Sequence, residues 1–482
     1  MAGAPRRLTI LQINDTHGYV EPHPELIWRG RTPEFRNLGG YARIAGYFDA
    51  VRQERPGAVV AFDNGDTFHG TYHAVISKGT ALVPLVNALK LDAMTAHWEF
   101  AWGPEHFIRL LEGVDHPMLA INCYDKETGR RPFAPSMMIE RAGLRIGVVG
   151  IAAFIVDKTM PPHFGEGLRF TTGEEALGDE IARVRADEEA DLVIVLSHLG
   201  LPQDMKLAAN VPGIDVLLSG HTHDRLENPI RVGGTVIIQS GCHGAFVGRL
   251  DIAIDGDAIT VEDHRLVPMD DTIAPDPEMA RLVEAVVSPS RDALAEVVGS
   301  IDEAAHRNTI LDCPTDDLLL AAIRKASGRA IAFSNGWRYG APIPPGRVTV
   351  GDLWNMVPVN PPVTTAEMTG AEVQAMMEEN LERTFSCDPY GQMSGYVKRF
   401  CGLTILAKLG LPFGHRIDRI FVGSAPLDPE TVYPVAYITA QGVPQKYGRN
   451  REALSVTAID ALRSYLAKPD RSAEEAGRII AV

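Results

Sequence analysis

The stretch Leu8-Thr9-Ile10-Leu11-Gln12-Ile13-Asn14-Asp15-Thr16-His17-Gly18 runs from a β-rich apolar segment into a carboxylate and an imidazole two positions apart. Four further stretches repeat this design. Val59-Val60-Ala61-Phe62-Asp63-Asn64-Gly65-Asp66 delivers Asp66, and Ala93-Met94-Thr95-Ala96-His97-Trp98-Glu99-Phe100 delivers His97. Leu192-Val193-Ile194-Val195-Leu196-Ser197-His198 delivers His198, and Val216-Leu217-Leu218-Ser219-Gly220-His221-Thr222-His223 ends in two histidines. Short apolar runs bounded by turn residues read as buried strands. In open α/β sheets, ligands bind beyond the carboxyl ends of the strands, so the five polar ends converge on one rim although they lie far apart in the chain.

Between these runs lie helical stretches, so the pattern up to about residue 268 is α/β. Residues 268–278 are rich in proline and acids and read as the start of a linker. Met279, Leu282, Val283 and Val286 form one face of a helix that Pro289 ends, and a second helical stretch is expected to hold Leu294, Val297 and Val298. The organisation expected is a catalytic domain over 1–268, a helical linker over 269–301 and a second α/β domain over 302–482, with helices near Asp316 to Ser327 and Ala371 to Arg383.

Of 482 residues, 46 are Lys or Arg and 62 are Asp or Glu, a formal net charge of −16. That sign opposes binding to a phosphate backbone or an anionic membrane surface, so nucleic-acid polymers are excluded as the main partner. The longest apolar run, Ile146 to Val156, is too short to span a bilayer and reads as a buried strand. The N-terminal Met-Ala-Gly-Ala-Pro-Arg-Arg passes directly into Leu8 without an apolar signal region, so the expected compartment is the cytoplasm, or the periplasm if an upstream signal was removed. Cys123, Cys242, Cys313, Cys387 and Cys401 are scattered without a Cys-x-x-Cys pair, which indicates neither a disulfide framework nor a thiolate zinc site.

A lone histidine at a strand end is usually a hydrogen-bonded structural group. Asp-x-His, Gly-Asp, a strand-end His and Gly-His-x-His in one chain order is a far more specific signal, and it points to a metal centre. Two carboxylates and five imidazoles suit Mn²⁺, Fe, Zn²⁺ or Co²⁺, and softness does not choose among them. Two divalent ions against two carboxylates leave a net positive centre, able to attract a small anionic substrate despite the charge of the chain. Two ions can also generate hydroxide near neutral pH and clamp the attacking and leaving oxygens, which makes hydrolysis the expected chemistry. His69 and His73 follow the Asp66 loop and read as bystanders.

In this order, Asp15-x-His17, Gly65-Asp66, His198 and Gly220-His221-x-His223 resemble the calcineurin-like metallophosphoesterases. The tail extends the likeness to the 5'-nucleotidase family. Asn335-Gly336-Trp337-Arg338 followed by Gly346-Arg347-Val348-Thr349-Val350-Gly351-Asp352 is similar to that family's Asn-Ser-Gly-Gly-Ile-Arg and Gly-x-Val-Thr-x-Gly-Asp segments. Lys398-Arg399-Phe400-Cys401-Gly402-Leu403 resembles its later substrate loop, and Pro426-Leu427-Asp428-Pro429-Glu430-Thr431-Val432-Tyr433 its strand-ending motif. The resemblance implies a metallophosphoesterase sandwich with a second α/β substrate domain. It also implies two divalent ions, one held by Asp15, His17 and His223, the other by His97, His198 and His221, with Asp66 bridging them. Arg338 and Arg399 would grip the substrate anion, since a guanidinium pairs with phosphate or sulfate oxygens through a planar fork.

One departure is chemical. Members of the family carry Gly-Asn-His-Glu-Phe-Asp, in which a His/Asp dyad stabilises the transition state; here Ala96-His97-Trp98-Glu99-Phe100-Ala101 puts Trp98 and Ala101 at the dyad positions and leaves no catalytic side chain assigned. The His-Trp-Glu-Phe string, with Asp388-Pro389-Tyr390-Gly391-Gln392, resembles instead the SoxB-type thiosulfohydrolases, which release sulfate from a cysteine S-thiosulfonate on a carrier protein. The family's aromatic base clamp is also missing, leaving Phe400 and Tyr437 as substitutes or as ordinary packing. The expected function is hydrolysis of a phosphate ester of a nucleotide or related small molecule, with sulfate release from a carrier protein, or non-catalytic metal-containing binding, as alternatives.

Overall fold

The computed structural model describes residues 5–256, 258–311, 313–393, 396–468 and 477–482; the first four residues of the N-terminal stretch lie outside the described residues. Two compact units emerge. One comprises residues 1–25 and 36–289, the other residues 26–35 and 290–482.

The first unit is built on two sheets. In the five-stranded sheet, Arg6–Ile13 runs parallel to Val59–Asp63, which runs parallel to Ala93–Met94, while Phe246–Asp255 and Ala258–Pro268 complete the other edge antiparallel. In the six-stranded sheet, Leu144–Ile151, Leu192–Ser197, Val216–Leu218 and Thr235–Ile238 are parallel neighbours, edged by Ser136–Arg141 and Ile230–Val232. Leu8, Ile10, Val60 and Phe62 of the first sheet share one core with Ile146, Val148, Ile194, Val216 and Val236 of the second. Every residue of Leu192–Ser197 is buried, as a parallel strand covered on both faces requires. The architecture is a calcineurin-like phosphoesterase sandwich, as the resemblance implies.

Two expectations change. The apolar run from Ile146 is a strand only to Ile151; Ala152 leaves the ladder because the Asn122 side chain takes up both its N–H and its C=O. The region read as a helical linker has mixed structure. The Pro277–Val287 helix, capped by Asp276, buries Met279, Val283 and Val287, packs against the Tyr41–Glu54 helix and belongs to the first unit. Val297 and Val298 are not helical: Val297–Ile301 is a strand paired with Gly346–Thr349, in keeping with β-branched side chains that favour extended backbone.

The second unit carries a five-stranded sheet in the order Arg399–Cys401, Ile331–Ser334, Val432–Tyr437, Pro362–Thr369, Arg449–Thr457, together with a four-stranded sheet. Its helices Pro314–Ser327 and Gly370–Phe385 extend the expected spans slightly, the latter opened by a capping box between Thr369 and Glu372. Among the described residues, no helix is long and apolar enough to cross a membrane. All five cysteines are free, and only Cys387 is exposed.

Candidate metal centre

Five parallel strands of the first unit end beside one another, and each hands its polar residue to the same place. Asp15 and His17 follow Arg6–Ile13, Asp66 follows Val59–Asp63, His97 follows Ala93–Met94, His198 follows Leu192–Ser197, and His221 and His223 follow Val216–Leu218. Ligand-type atoms of Asp15, His17, Asp66 and His223 lie within 4.8 Å of one another, as do those of Asp66, His97, His198 and His221. Asp66 belongs to both groups.

The spacings within these groups are those of atoms around a cation. His97 Nδ1 and His198 Nε2 each stand 3.3 Å from Asp66, and His17 Nε2 stands 3.6 Å from it. In the other group, His223 Nε2 is 3.3 Å from Asp15 Oδ1. Tetrahedral ligands at about 2.1 Å from one ion stand about 3.4 Å apart. Asp15 Oδ1 and His198 Nε2 are buried, and among the described residues no well-formed hydrogen bond reaches them. A buried polar atom without a hydrogen bond is costly, and a cation beside each would satisfy it. The donor set therefore fits divalent metal binding.

Burial opposes ionisation of Asp66, but the imidazoles of His97, His198 and His17 hold its carboxyl well below the usual carboxylate range. Burial likewise pushes the His17 imidazole down to about 3. His17 Nδ1 donates to the His69 carbonyl at 3.1 Å and His198 Nδ1 to the Asn64 carbonyl at 2.5 Å, which leaves Nε2 of each ring facing the carboxylates. Asp15, His17, Asp66, His221 and His223 all have positive φ, between 49° and 71°. Five non-glycine residues in the left-handed region at one site are backbone strain held in place by the surrounding fold. Gly65, at φ 90°, is required beside Asp66 because a Cβ there would stand 2.7 Å from the Thr95 carbonyl oxygen.

Side chains that sequence reading passed over hold the loops. Asn64 donates from Nδ2 to the carbonyls of Ser197 (3.1 Å) and Leu218 (2.6 Å) and accepts from Gln12 Nε2 (2.9 Å), so one amide ties the strand ends of both sheets. Glu99 accepts the N–H groups of Thr67 and His97, both at 2.7 Å. His69 is no bystander: its carbonyl orients His17, and its ring stacks on Trp98 at 4.5 Å. The Trp98 N–H donates to Asp66 Oδ1 at 2.8 Å, and the Ala101 carbonyl accepts from His163. His243 sits in a further strand-end loop, after Thr235–Ile238, and is buried beside Glu25. Its strand-end position is a signal of the kind that flagged His198; Glu25 carries none.

Arg338 and Arg399 lie in the second unit. The Arg338 guanidinium stands 5.3 Å from the centre of the Tyr396 ring. Arg399 is buried and donates to the carbonyls of Ile310, Leu311 and Thr309. Lys398 is buried too, donating to the carbonyls of Gln441 and Gly442. Phe400 and Tyr437 are part of the core of this unit, and the Tyr437 hydroxyl accepts from Arg451 at 2.6 Å.

Residues 8–225 match the calcineurin-like phosphoesterase family, and residues 295–440 match the 5'-nucleotidase C-terminal domain. The trifunctional nucleotide phosphoesterase protein YfkN of Bacillus subtilis is 24% identical over 465 residues, covering 86% of this chain, which spans only 30% of YfkN's length. The sulfate thiohydrolase SoxB of Thermus thermophilus superposes with a TM-score of 0.88 at 26% identity, over 98% of this chain and 96% of that one. A 5'-nucleotidase precursor, also from Thermus thermophilus, superposes with a TM-score of 0.84 at 23% identity, over 99% of each chain, a likeness of fold.

Proposed function

From its place among the calcineurin-like phosphoesterases that carry a 5'-nucleotidase C-terminal domain, a family of metal-dependent hydrolases to which this chain belongs, we propose that it hydrolyses a phosphate ester of a nucleotide or related small molecule at a two-ion centre. The observation that carries this reading is the pair of ligand groups sharing Asp66 at cation-like spacing. Asp15, His17 and His223 would hold one ion and His97, His198 and His221 the other, with Asp66 available to both. When bound, two divalent ions supply Lewis acidity, lower the pKa of water and neutralise charge developing on the attacking and leaving oxygens. The protein's part is to keep the ligands oriented through the His69 and Asn64 carbonyls and to exclude water from the buried imidazoles. Arg338, in the second unit, is a guanidinium suited to pairing with an anion. Arg399, its guanidinium engaged by three carbonyls, shapes the segment around residue 310.

A second reading, release of sulfate from a thiosulfonated cysteine on a carrier protein, is favoured by Trp98 and Ala101 at the dyad positions and by the likeness to SoxB. A leaving sulfur anion needs no proton donor, whereas an alkoxide profits from one. The deciding experiment is a substrate panel of nucleotides, sugar nucleotides, simple phosphate esters and a thiosulfonated carrier, each with Mn²⁺, Zn²⁺ and Co²⁺. Phosphate release from the small esters supports the first reading, and sulfate release alone supports the second. Hydrolysis that survives Asp66→Asn unchanged would rule out the shared ligand.

A further inference from the structure

Glu25, His23, His243 and Arg225 form a polar cluster outside the seven ligands. Glu25 Oε1 lies 2.6 Å from His243 Nδ1 and 3.3 Å from His23 Nε2, while Oε2 accepts from Arg225 Nη2 at 2.6 Å. Glu25, His23 and His243 are buried and close enough together to be a third metal group. Two features argue otherwise. The 2.6 Å separation of Glu25 from His243 is that of a charge-assisted hydrogen bond, well short of the roughly 3.4 Å between ligands of one ion. Arg225 also brings a fixed cation to the same carboxylate, whereas the ionic partners of Asp15 and Asp66 are histidines.

This cluster touches one half of the metal centre. The His243 N–H donates to the Asp15 carbonyl at 2.7 Å, with His243 itself at φ 59°. Its ring stands 6.1 Å from that of His223 at a 68° interplanar angle and 6.2 Å from that of His17 at 56°. Tyr19 packs on the cluster, 4.5 Å from the His243 ring and 4.6 Å from the His23 ring. The rings near His97, by contrast, are those of Trp98, His198 and His221.

We propose that the Glu25–His243 pair, anchored by Arg225, is a positioning device for the Asp15–His17–His223 half of the centre alone. The Glu25 carboxylate fixes the His243 ring by its Nδ1. The fixed ring then limits the rotation of His17 and His223, and the His243 N–H fixes the carbonyl of the strained Asp15. Less ordering remains to be done when an ion binds there, so this half gains affinity that its three ligands alone would not give. The inference rests on the two-ion reading of the seven ligands.

The test uses the full chain, stripped of metal and titrated with Mn²⁺ alone, without substrate, by calorimetry and by electron paramagnetic resonance. The wild type should bind two ions. Glu25→Gln and His243→Asn should each weaken one ion about 10- to 100-fold, the usual cost of losing an outer partner of a metal site, and leave the other at its wild-type affinity. In a His97→Ala background, Glu25→Gln should still weaken the remaining ion; in a His223→Ala background it should have no further effect. His243→Asn retains the Glu25–Arg225 pair and supplies the test if Glu25→Gln does not fold. Equal weakening of both ions, as general loosening of the unit would give, overturns the proposal. So does wild-type affinity for both ions in folded variants, and so does a third ion that Glu25→Gln abolishes. A wild type that binds fewer than two ions overturns the two-ion reading itself, and with it this one, before any variant is made.

Discussion

His17 Nε2 and His223 Nε2, from residues 206 positions apart in the chain, face each other at 3.2 Å. His17 already donates its Nδ1 hydrogen to the His69 carbonyl, so its Nε2 carries a lone pair. With Asp15 Oδ1 3.3 Å from the same His223 nitrogen, the space among these atoms is suited to a cation.

The first prediction follows from that crowding. Removing metal with a chelator should lower the melting temperature of the first unit, and restoring Mn²⁺ to about 100 times its Kd should return about 2.7 kcal/mol per site. Differential scanning calorimetry with and without chelator checks this. Asp66→Asn, which removes a charge from both ligand groups, should abolish most of the response.

The clustering of the seven candidate ligands was legible because each follows a strand that the sequence marks by an apolar run, and because parallel strands bring their carboxyl ends together. What links the two sheets was not legible. Asn64 lies inside a quoted motif, yet nothing in its neighbourhood tells that its amide reaches Ser197 and Leu218 on the other sheet. Glu25 meets His243 across 218 positions for the same reason: a single long-range hydrogen bond leaves no periodicity. In the linker, helix and strand differ over a few residues, and Val297 and Val298 became a strand because a partner at Gly346–Thr349 was available to pair with them. The β-branched preference for extended backbone and the available partner act together, and neither shows in a helical reading of the apolar spacing.

Asn64 therefore carries a stability prediction. Asn64→Leu keeps similar bulk but leaves the buried carbonyls of Ser197 and Leu218 without that donor and Gln12 Nε2 without one of its two acceptors. Each buried group deprived of its partner costs about 1–3 kcal/mol. Urea unfolding should show a loss of several kcal/mol in the first unit, and Asn64→Asp should also destabilise, since a carboxylate would then face two carbonyl oxygens.

Trp98 and Ala101 set the third prediction. The wild type lacks a His/Asp dyad, and the Trp98 indole is stacked on His69 rather than replaced by a hydrogen-bonding imidazole. Hydrolysis of AMP should be slow. The double variant Trp98→His, Ala101→Asp should raise kcat for AMP, with positioned proton-transfer groups contributing about 10²- to 10⁴-fold in favourable cases. Trp98→His alone should gain less, because the orienting carboxylate is absent. Steady-state kinetics with AMP test this, and rapid AMP turnover by the wild type would contradict it.

Lys398 supplies a pH dependence in the second unit. Burial pulls its ammonium down from 10.5 to about 7, and only part of that is offset by Glu379. Because the folded-state pKa is depressed, Lys398 in the unfolded chain binds more protons between pH 7 and 10.5, and its contribution to stability rises with pH across that window. The contribution of this group is bounded by about 1.4 kcal/mol per pH unit. Lys398→Met removes the titration and also the donor to the Gln441 and Gly442 carbonyls, so its absolute stability changes for two reasons. The difference between wild type and variant isolates the titration: followed by urea unfolding, it should grow in favour of the wild type from pH 7 to pH 10 and stay level below pH 6. A flat difference across the whole range would mean that the buried amine keeps its ordinary pKa.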